Sequence, residues 1–457
     1  MPLKSSRNQK AFFFFSTAVM VVGLFISPAF PANGKPRDLN VVLITIDALR
    51  ADHLGCYGYK RNTSPNIDRL AREGTLFTQA IAQSSCTPPS MGAIATSTYP
   101  RVNGLRGWGY SIRSDLPTLA EILQAHGYKT ICATEAPTLR HGLRGFVRGF
   151  DKFYDEGLLT EDPAPAWPLE KDCASPFFLW IHYMRAHDYN PEKKLENAFM
   201  NDSLYDKRKK LPIVKSPLTT YVPNRIPSFW AEQRGGIDNP DYYVALYDAG
   251  ILSVDKQIGL LVQKLEETAR GRNTLFILTA DHGEMMGEHG FYFQHGNFVY
   301  EPLIKVPFIL YSPGIIPAKK IDAQIRASFD VFPTILGYLK IEKPKALEGI
   351  NLLPALLGED VGSFPYVISE DGSLSVRTGH WKLILSGNNA LPEIYELFNL
   401  KNDPGETVNL ASVEKRKFAV LKEKMDEYRK NFPETSVLPP ELNEEAREAL
   451  RALGYLQ

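Results

Sequence analysis

Three runs of apolar residues, many of them β-branched or aromatic, predict buried strands of a parallel sheet. They lie at 39–46, 177–182 and 274–279. A helix is predicted to begin at Ser64–Pro65, where Ser64 can cap the helix and Pro65 suits its first turn. Further helices are predicted at 117–126 and 245–269, and a short strand at 129–133. Because strands alternate with helices, we predict an α/β fold in which helices cover both faces of a mostly parallel sheet.

The pattern changes near residue 364, where short strands follow one another and a helix ends the series. The strands are predicted at 366–368, 374–377 and 381–385, and the helix at 413–432. Together they predict a small C-terminal α+β subdomain. The charged, proline-rich stretch 189–241 lacks periodicity and is interpreted as an insertion near the site. We therefore divide the chain into a signal peptide (1–32), a catalytic domain (39–345), a C-terminal subdomain (360–435) and a tail (436–457).

The N-terminal segment has the layout of a secretory signal peptide. Three cationic residues precede an apolar run at 11–26, and the small residues Ser27, Ala29 and Ala32 follow it. Cleavage is expected after Ala29 or Ala32, and an uncleaved membrane anchor is the alternative. We expect an exported protein, periplasmic or extracellular, with no stable membrane span after cleavage.

The charge and the cysteine content of the chain limit the kinds of partner and metal site that we expect. The chain has 52 basic and 52 acidic side chains, so no basic field predicts nucleic-acid binding, and an anionic substrate must be held by a local site. The cysteines match no zinc-binding pattern. They are Cys56, Cys86, Cys132 and Cys173. Buried thiols or one structural disulfide are expected, with the pairing left open.

The candidate chemistry lies where predicted strands end. Asp47 follows the first strand, and Asp281 and His282 follow the third. The carboxyl ends of parallel strands share the sheet edge at which ligand sites form. Carboxylates and an imidazole suit zinc or a similar divalent ion, although a single aspartate at a strand end is often only a turn residue. Thr87 precedes Pro88 and is predicted to cap a helix; next to a metal its hydroxyl could become a nucleophile.

Several ordered segments resemble the sulfatases, a branch of the alkaline-phosphatase-like superfamily. The segments are 44–59, 62–77, 98–100, 177–189, 278–309, 376–384 and 394–410. The resemblance implies one divalent metal ion held by Asp47, Thr87, Asp281 and His282, with Thr87 as the nucleophile. It places His187 where the family has a substrate-contacting histidine. It also implies supporting or structural roles for Glu284, His289 and Lys305.

The chain departs from the family pattern at positions that bear on the reaction. The family signature Cys-x-Pro-Ser-Arg aligns Thr87 with the cysteine that is oxidised to formylglycine, but Met91 replaces the arginine. With the register shifted by one, Cys86 begins the signature and Ser90 stands in place of the arginine. Neither register is a complete modification signal.

Other departures concern the metal and the substrate. Ala48 replaces a metal-binding aspartate, and His282 stands where calcium-dependent sulfatases usually have asparagine. Zinc or manganese is therefore favoured, with calcium possible. Asn103 occupies a place often held by histidine. His295 lies one position from the sulfate-binding lysine of the family, and we predict that it acts beside the substrate oxygens with His187.

These observations predict a metal-dependent, sulfatase-like hydrolase that cleaves sulfate or phosphate esters of a small molecule or glycan through a covalent nucleophile. The Asp/Thr/Asp/His set resembles relatives that transfer phosphoryl groups with an unmodified threonine. A sulfate ester on a plain threonine lacks the elimination route that formylglycine provides, so phosphoryl transfer is chemically easier. Two alternatives remain: a phosphoethanolamine- or phosphoglycerol-type transferase acting on an envelope glycan or lipid, and a binding protein without turnover.

Overall fold

The protein is described by a computed structural model. The described residues are 39–136, 139, 145–155, 176–215, 222–268, 271–359, 366–387, 392–433, 444, 447–448 and 451. The predicted signal peptide, Cys173 and most of the predicted tail lie outside these residues.

The centre of the molecule is an eight-stranded sheet whose strands run in the order β12-β2-β11-β8-β1-β5-β3-β4. Its strands are β1 (Asn40–Ile46), β2 (Thr75–Ile81), β3 (Lys129–Thr134), β4 (Lys152–Tyr154), β5 (Phe177–Tyr183), β8 (Thr274–Ala280), β11 (Phe308–Tyr311) and β12 (Lys319–Arg326). Only β11 runs against its neighbours within this sheet. Two short pairs lie outside it: β6 (Ile213–Val214) with β7 (Ile226–Pro227), and β9 (Met285–Met286) with β10 (Tyr292–Gln294).

The three predicted core strands are adjacent in the sheet. In β1, Ile44 is paired with Ile181 of β5 on one side and with Leu278 of β8 on the other, all in parallel register. Every residue of these three strands is buried, because helices flank the sheet. Continuous apolar sequence is the pattern expected for strands without a solvent face. The predicted fold class is confirmed.

Ten α-helices have described bounds. They are α1 (Pro65–Glu73), α2 (Thr87–Thr96), α3 (Pro100–Asn103), α4 (Leu119–Ala125), α5 (Ser228–Glu232), α6 (Pro240–Glu266), α7 (Glu301–Ile304), α8 (Ala327–Tyr338), α9 (Leu353–Leu356) and α10 (Lys415–Asn431). Helix α1 packs on α6, and α2 packs on α8.

Three helix starts differ from the predictions in their first residue or in their cap, although α1 begins at Pro65 as predicted. Helix α6 begins at Pro240, five residues before the predicted 245, because Asn239 accepts hydrogen bonds from the next backbone N–H groups. Ser64 does not cap α1; its hydroxyl bonds Asp68, and Asp255 accepts the free N–H groups of residues 66 and 67 instead. Thr87 is the first residue of α2, so its predicted capping role is wrong.

A second, antiparallel sheet of four strands lies against α10. Its strands are β13 (Val367–Asp371), β14 (Ser373–Thr378), β15 (Trp381–Ser386) and β16 (Ile394–Asn399). The three predicted strands and the terminal helix are confirmed, and β16 is added. Buried Lys382 of β15 lies 3.2 Å from the Glu301 carboxylate at α7 and 2.8 Å from that of Glu406. This ion cluster fastens the small sheet to the larger part of the molecule.

Two further findings bear on the predictions. Among the described residues, no helix has the length and apolar character needed to cross a bilayer. The described cysteines, Cys56, Cys86 and Cys132, are all free thiols.

Candidate active site

Two carboxylates meet at the carboxyl ends of β1 and β8. Because these strands are parallel neighbours, Asp47 and Asp281 follow paired residues, Ile46 and Ala280. Both aspartates are buried. The backbone N–H groups of Ala48 and His282 donate to Asp281 Oδ1 over 3.2 and 2.9 Å. These bonds orient Asp281 and leave its second oxygen, Oδ2, unused.

His282 adds a nitrogen to the two carboxylates. Its Nδ1 donates to the carbonyl oxygen of Gly283 over 2.8 Å. In the neutral ring the lone pair is then on Nε2, which lies 3.6 Å from Asp47 Oδ1 and 3.5 Å from Asp281 Oδ2. The backbone hydrogen bond therefore fixes the tautomer in which Nε2 can bind a metal.

The residues fit a bound cation. Asp47 Oδ1 and Asp281 Oδ2 are buried side-chain oxygens for which the described residues supply no hydrogen bond. With His282 they form a group whose ligand atoms all lie within 4.8 Å of one another. Buried charges of this kind need a partner, and oxygen with imidazole nitrogen suits a divalent transition metal. The structure thus brings together the aspartates and the histidine of the predicted metal set.

The hydroxyl of Thr87 lies at the same point. Thr87 Oγ1 donates to Asp47 Oδ2 over 3.2 Å and is 3.2 Å from His282 Nε2. The preceding residue, Cys86, is extended, and this conformation directs the chain into α2 so that Thr87 begins the helix. Burial raises the pKa of the Cys86 thiol well above its usual range, and the nearby carboxylates of Asp371 and Asp281 raise it further. These shifts favour the protonated form of the Cys86 thiol, which is a poor nucleophile.

The pKa values of the two carboxylates are shifted in opposite directions. Burial alone would raise the pKa of Asp47, but the charges of His187 and His282 and a hydrogen bond from His182 lower it overall. Burial and the negative charge of Asp47 raise the pKa of Asp281. Burial lowers the pKa of His282, but the two carboxylates outweigh burial and raise it overall. A cation bound here would take the place of that proton.

His187 and His295 lie beside this cluster. The ring of His295 is 4.4 Å from that of His282 and 5.1 Å from that of His187, measured between centroids. His187 Nδ1 is 2.8 Å from the Asp188 carboxylate. Burial opposes a charge on His187, but Asp47 and Asp188 together raise its pKa to about 10. An imidazolium at this position suits an anionic ester group.

The pKa of His295 is shifted in the opposite direction to that of His187. Its Nδ1 is 3.3 Å from Glu284 Oε2, which also accepts a hydrogen bond from Tyr189 over 3.2 Å. Burial lowers the pKa of His295 and outweighs the Glu284 carboxylate, which raises it, while the charges of His282 and His187 lower it further. The pKa values of the two neighbouring imidazoles are thus shifted in opposite directions.

The sequence does not reveal the roles of three further residues: His182, Thr45 and Asp371. His182 Nε2 lies 3.3 Å from Asp47 Oδ2, and His182 Nδ1 lies 2.9 Å from Thr45 Oγ1. Trp180 also donates a hydrogen bond to Thr45 Oγ1. The available signal was register: His182 ends an apolar strand, as Thr45 almost ends the strand before Asp47. The third is Asp371, at the tip of the β13–β14 hairpin.

The hairpin tip packs against both loops that carry the candidate catalytic residues. Asp371 Oδ2 accepts hydrogen bonds of 3.3 Å from the hydroxyls of Ser84 and Ser85, just before Thr87. Gly372 has φ +62° and lies so close to the loop after His295 that an added Cβ would be 2.7 Å from Asn297 Cα. Next to the tip, between α2 and the small sheet, is a cleft of about 680 Å³ lined mainly by charged side chains, prolines and leucines.

Residues 39–168 and 159–341 match the family model described as Sulfatase. The chain belongs to the sulfatase family. Residues 287–431 match a second model, described as N-sulphoglucosamine sulphohydrolase, C-terminal. The predicted family and the predicted enzyme class, an ester hydrolase of that family, are confirmed.

A curated sulfatase is similar in sequence, and solved structures share the fold. An N-acetylglucosamine-6-O-sulfatase of Bacteroides thetaiotaomicron is 24% identical, over 89% of this chain and 90% of the relative. A protein solved in complex with its substrate D-glucosamine-2-N,6-O-disulfate has a TM-score of 0.71 and 20% identity, covering 89% of this chain and 100% of that chain. A phosphonate monoester hydrolase of Agrobacterium radiobacter has a TM-score of 0.68 and 20% identity, covering 89% and 98%.

Proposed function

We propose that this sulfatase-family enzyme hydrolyses sulfate or phosphate esters of a small molecule or glycan, with Thr87 as the covalent nucleophile. The observation that carries the proposal is the position of Thr87 Oγ1, 3.2 Å from both Asp47 Oδ2 and His282 Nε2. Two unpartnered carboxylate oxygens beside it support a cation site. Bound by Asp47, Asp281, His282 and Thr87, a divalent ion would lower the pKa of the threonine hydroxyl.

The other residues of the site would bind the ester and move protons. The imidazolium of His187, held through Nδ1 by Asp188, binds a nonbridging ester oxygen and stabilises the charge that develops there. Thr87 Oγ1 loses its proton and forms a bond to sulfur or phosphorus, while the bond to the leaving alcohol oxygen breaks and that oxygen takes up a proton. Water then attacks sulfur or phosphorus, the bond to Thr87 Oγ1 breaks, and neutral His295, oriented by Glu284, accepts the proton that this water loses.

The metal is proposed to be zinc or manganese. Calcium prefers sites built from many oxygen ligands, and this chain supplies an imidazole at 282 and an alanine at 48. The nitrogen ligand is supported by the Nδ1 hydrogen bond of His282, which leaves Nε2 as the free ring nitrogen.

Separate observations support a sulfate ester and a phosphate ester as the substrate. The relatives that match are named as sulfatases, whereas a structural neighbour is named as a phosphonate monoester hydrolase. An unmodified threonine favours phosphate, because a threonine sulfate ester cannot decay by the elimination route. A glycan leaving group is supported by the cleft of about 680 Å³, since Pro89, two residues after Thr87, is one of its lining residues. We also propose that the protein is exported, since residues 1–32 have the layout of a signal peptide.

The test is a hydrolysis panel on the purified protein. It would contain an aryl sulfate, a phosphate monoester, a phosphate diester, a phosphonate monoester and sulfated amino sugars, each with and without an acceptor alcohol. Thr87→Ala should lower kcat by several orders of magnitude, as loss of a covalent nucleophile does. Cys86→Ala, one residue away, is the matched control and should keep most of the activity. A formylglycine at Cys86 in peptide mass spectrometry, or an inactive Cys86→Ala with an active Thr87→Ala, would contradict the proposal.

A further inference from the structure

We propose that His182 is a positioning residue that holds Asp47 in the orientation needed to bind the cation; this inference rests on the proposed metal site. His182 is the third member of a hydrogen-bonded chain that runs from Trp180 through Thr45 and His182 to Asp47. The first three members lie on adjacent strands inside the sheet, and the chain ends at the predicted ligand.

Strand register brings the chain together. Strands β1 and β5 are parallel, and Thr45 is paired with His182. Trp180 lies two residues before His182 and therefore projects from the same face of β5. Trp180 Nε1 is 2.9 Å from Thr45 Oγ1, which is 2.9 Å from His182 Nδ1. All three side chains are at most 1% exposed, so solvent does not compete for these bonds.

The chemistry of the groups sets the direction of each bond. An indole N–H can only donate, so Trp180 donates to Thr45. The Asp47 carboxylate can only accept, so His182 donates through Nε2, 3.3 Å from Asp47 Oδ2. In the neutral ring, His182 Nδ1 then accepts the hydroxyl proton of Thr45. If the ring is charged, Thr45 donates instead to the carbonyl oxygen of Ile181, 3.3 Å away. In both arrangements the N–H group at His182 Nε2 donates to Asp47 Oδ2.

The consequence is a carboxylate with two distinct oxygens. Asp47 Oδ2 is held by His182 at 3.3 Å and by Thr87 at 3.2 Å. Asp47 Oδ1 has no hydrogen-bond partner among the described residues and lies 3.6 Å from His282 Nε2. Rotation of the carboxylate would exchange the two oxygens, and the His182 bond opposes that rotation. His182 itself is not among the three residues whose ligand atoms cluster within 4.8 Å, so it acts through Asp47.

Packing alone would not require a histidine at position 182. The other residues of β5 before His182 are apolar, and a buried imidazole costs free energy unless its nitrogens are hydrogen-bonded. An apolar side chain would fill the same space without that cost. Partners that orient a metal ligand in this way typically contribute about 10- to 100-fold in metal affinity.

Two substitutions separate positioning from packing. In His182→Gln the amide nitrogen reaches the place of Nε2, so a donor to Asp47 remains. In His182→Asn the amide reaches only the place of Nδ1, so that donor is lost. Dissociation constants for Zn²⁺ and Mn²⁺ would be measured on the metal-free full-length protein by competition with a chromogenic chelator, together with the Tm of each metal-free variant.

We expect His182→Asn to weaken metal binding about 10- to 100-fold. His182→Gln should stay within about threefold of the wild type while losing a similar amount of Tm. Equal metal affinities for the two variants, whether both weakened or both unchanged, would overturn the inference. If His182→Asn does not fold, Thr45→Val carries the same test, because it removes the hydroxyl that fixes His182. An unchanged dissociation constant for that variant would then overturn it.

The wild-type measurement keeps the two proposals apart. If the wild-type protein binds neither Zn²⁺ nor Mn²⁺, the proposed metal site itself is wrong. If the wild type binds one of them tightly and hydrolyses an ester, and only the His182 comparison fails, the proposed function stands without the positioning role.

Discussion

Replacement of Lys382 by methionine should strongly destabilise the junction between the small sheet and the rest of the molecule. The Lys382 side chain is 0% exposed, and its ammonium is 2.8 Å from Glu406 Oε1 and 3.2 Å from Glu301 Oε1. Removal of one partner from a buried ion pair costs about 3–5 kcal/mol. Glu301 keeps Arg377 at 3.1 Å, so Glu406 bears most of the loss. We therefore expect a loss near the lower end of that range.

The loss should depend on pH in a defined direction. Burial raises the pKa of Glu406 to about 7, although the charge of Lys382 lowers it. Without Lys382 the pKa must rise further. An acid whose pKa is raised in the folded state contributes stability at low pH, and this contribution is lost as the pH rises through the folded pKa. At pH 6 the folded Lys382→Met protein can keep Glu406 protonated. At pH 8 it must bury an unpaired charge or take up a proton, so the loss should be larger.

Urea unfolding at pH 6 and pH 8, followed by circular dichroism and tryptophan fluorescence, measures both effects. The small sheet could unfold as a separate step, and each transition would then be fitted by itself. Lys401→Met, at an exposed lysine of the same region, is the control and should change stability by less than about 0.5 kcal/mol. Adding Glu406→Gln to Lys382→Met should recover at least half of the loss. A loss below about 1 kcal/mol at pH 8, or an equal loss at both pH values, would refute this reasoning.

Three more predictions concern the site. Elemental analysis should find about one zinc or manganese per chain, and stoichiometric calcium without a transition metal would contradict the proposed ligand set. His187→Ala and His295→Ala should each lower kcat/KM far more than Tm, and unchanged kinetics with a large loss of Tm would instead mark them as structural. Asp371→Asn should lower kcat with little change in metal content, because Asp371 bonds Ser84 and Ser85 next to Thr87 and contacts no predicted ligand through a hydrogen bond.

The core of the fold and the metal cluster could be predicted from the sequence because both depend on local pattern. Continuous apolar runs identify strands without a solvent face, and parallel strands bring the residues that follow them to one edge. Asp47, Asp281 and His282 could be found for that reason. The roles of these residues, and those of Thr87 and His187, stay predictions until the variants are measured.

What the sequence could not reveal depends on contacts between distant segments. His182 looks like one more residue of a buried strand, and its hydrogen bond to Asp47 becomes visible only when the register of β1 and β5 is known. The cap of α1 also depends on a distant segment, because Asp255, which accepts the N–H groups at the helix start, lies almost 190 residues further along the chain. The prediction that Thr87 caps α2 is wrong because the proline pattern at a helix start does not distinguish the capping residue from the first helical residue.

The β13–β14 hairpin has a consequence for the order in which the protein becomes functional. A chain that has been synthesised only to residue 360 already contains the predicted metal ligands, the nucleophile and both histidines of the site. It lacks Asp371, which bonds the loop before Thr87, and Gly372, which packs against the loop after His295. We expect such an unfinished chain to bind its metal and yet to hold these loops loosely. Hydrolysis would then depend on the small sheet, although that sheet supplies neither a predicted metal ligand nor the nucleophile.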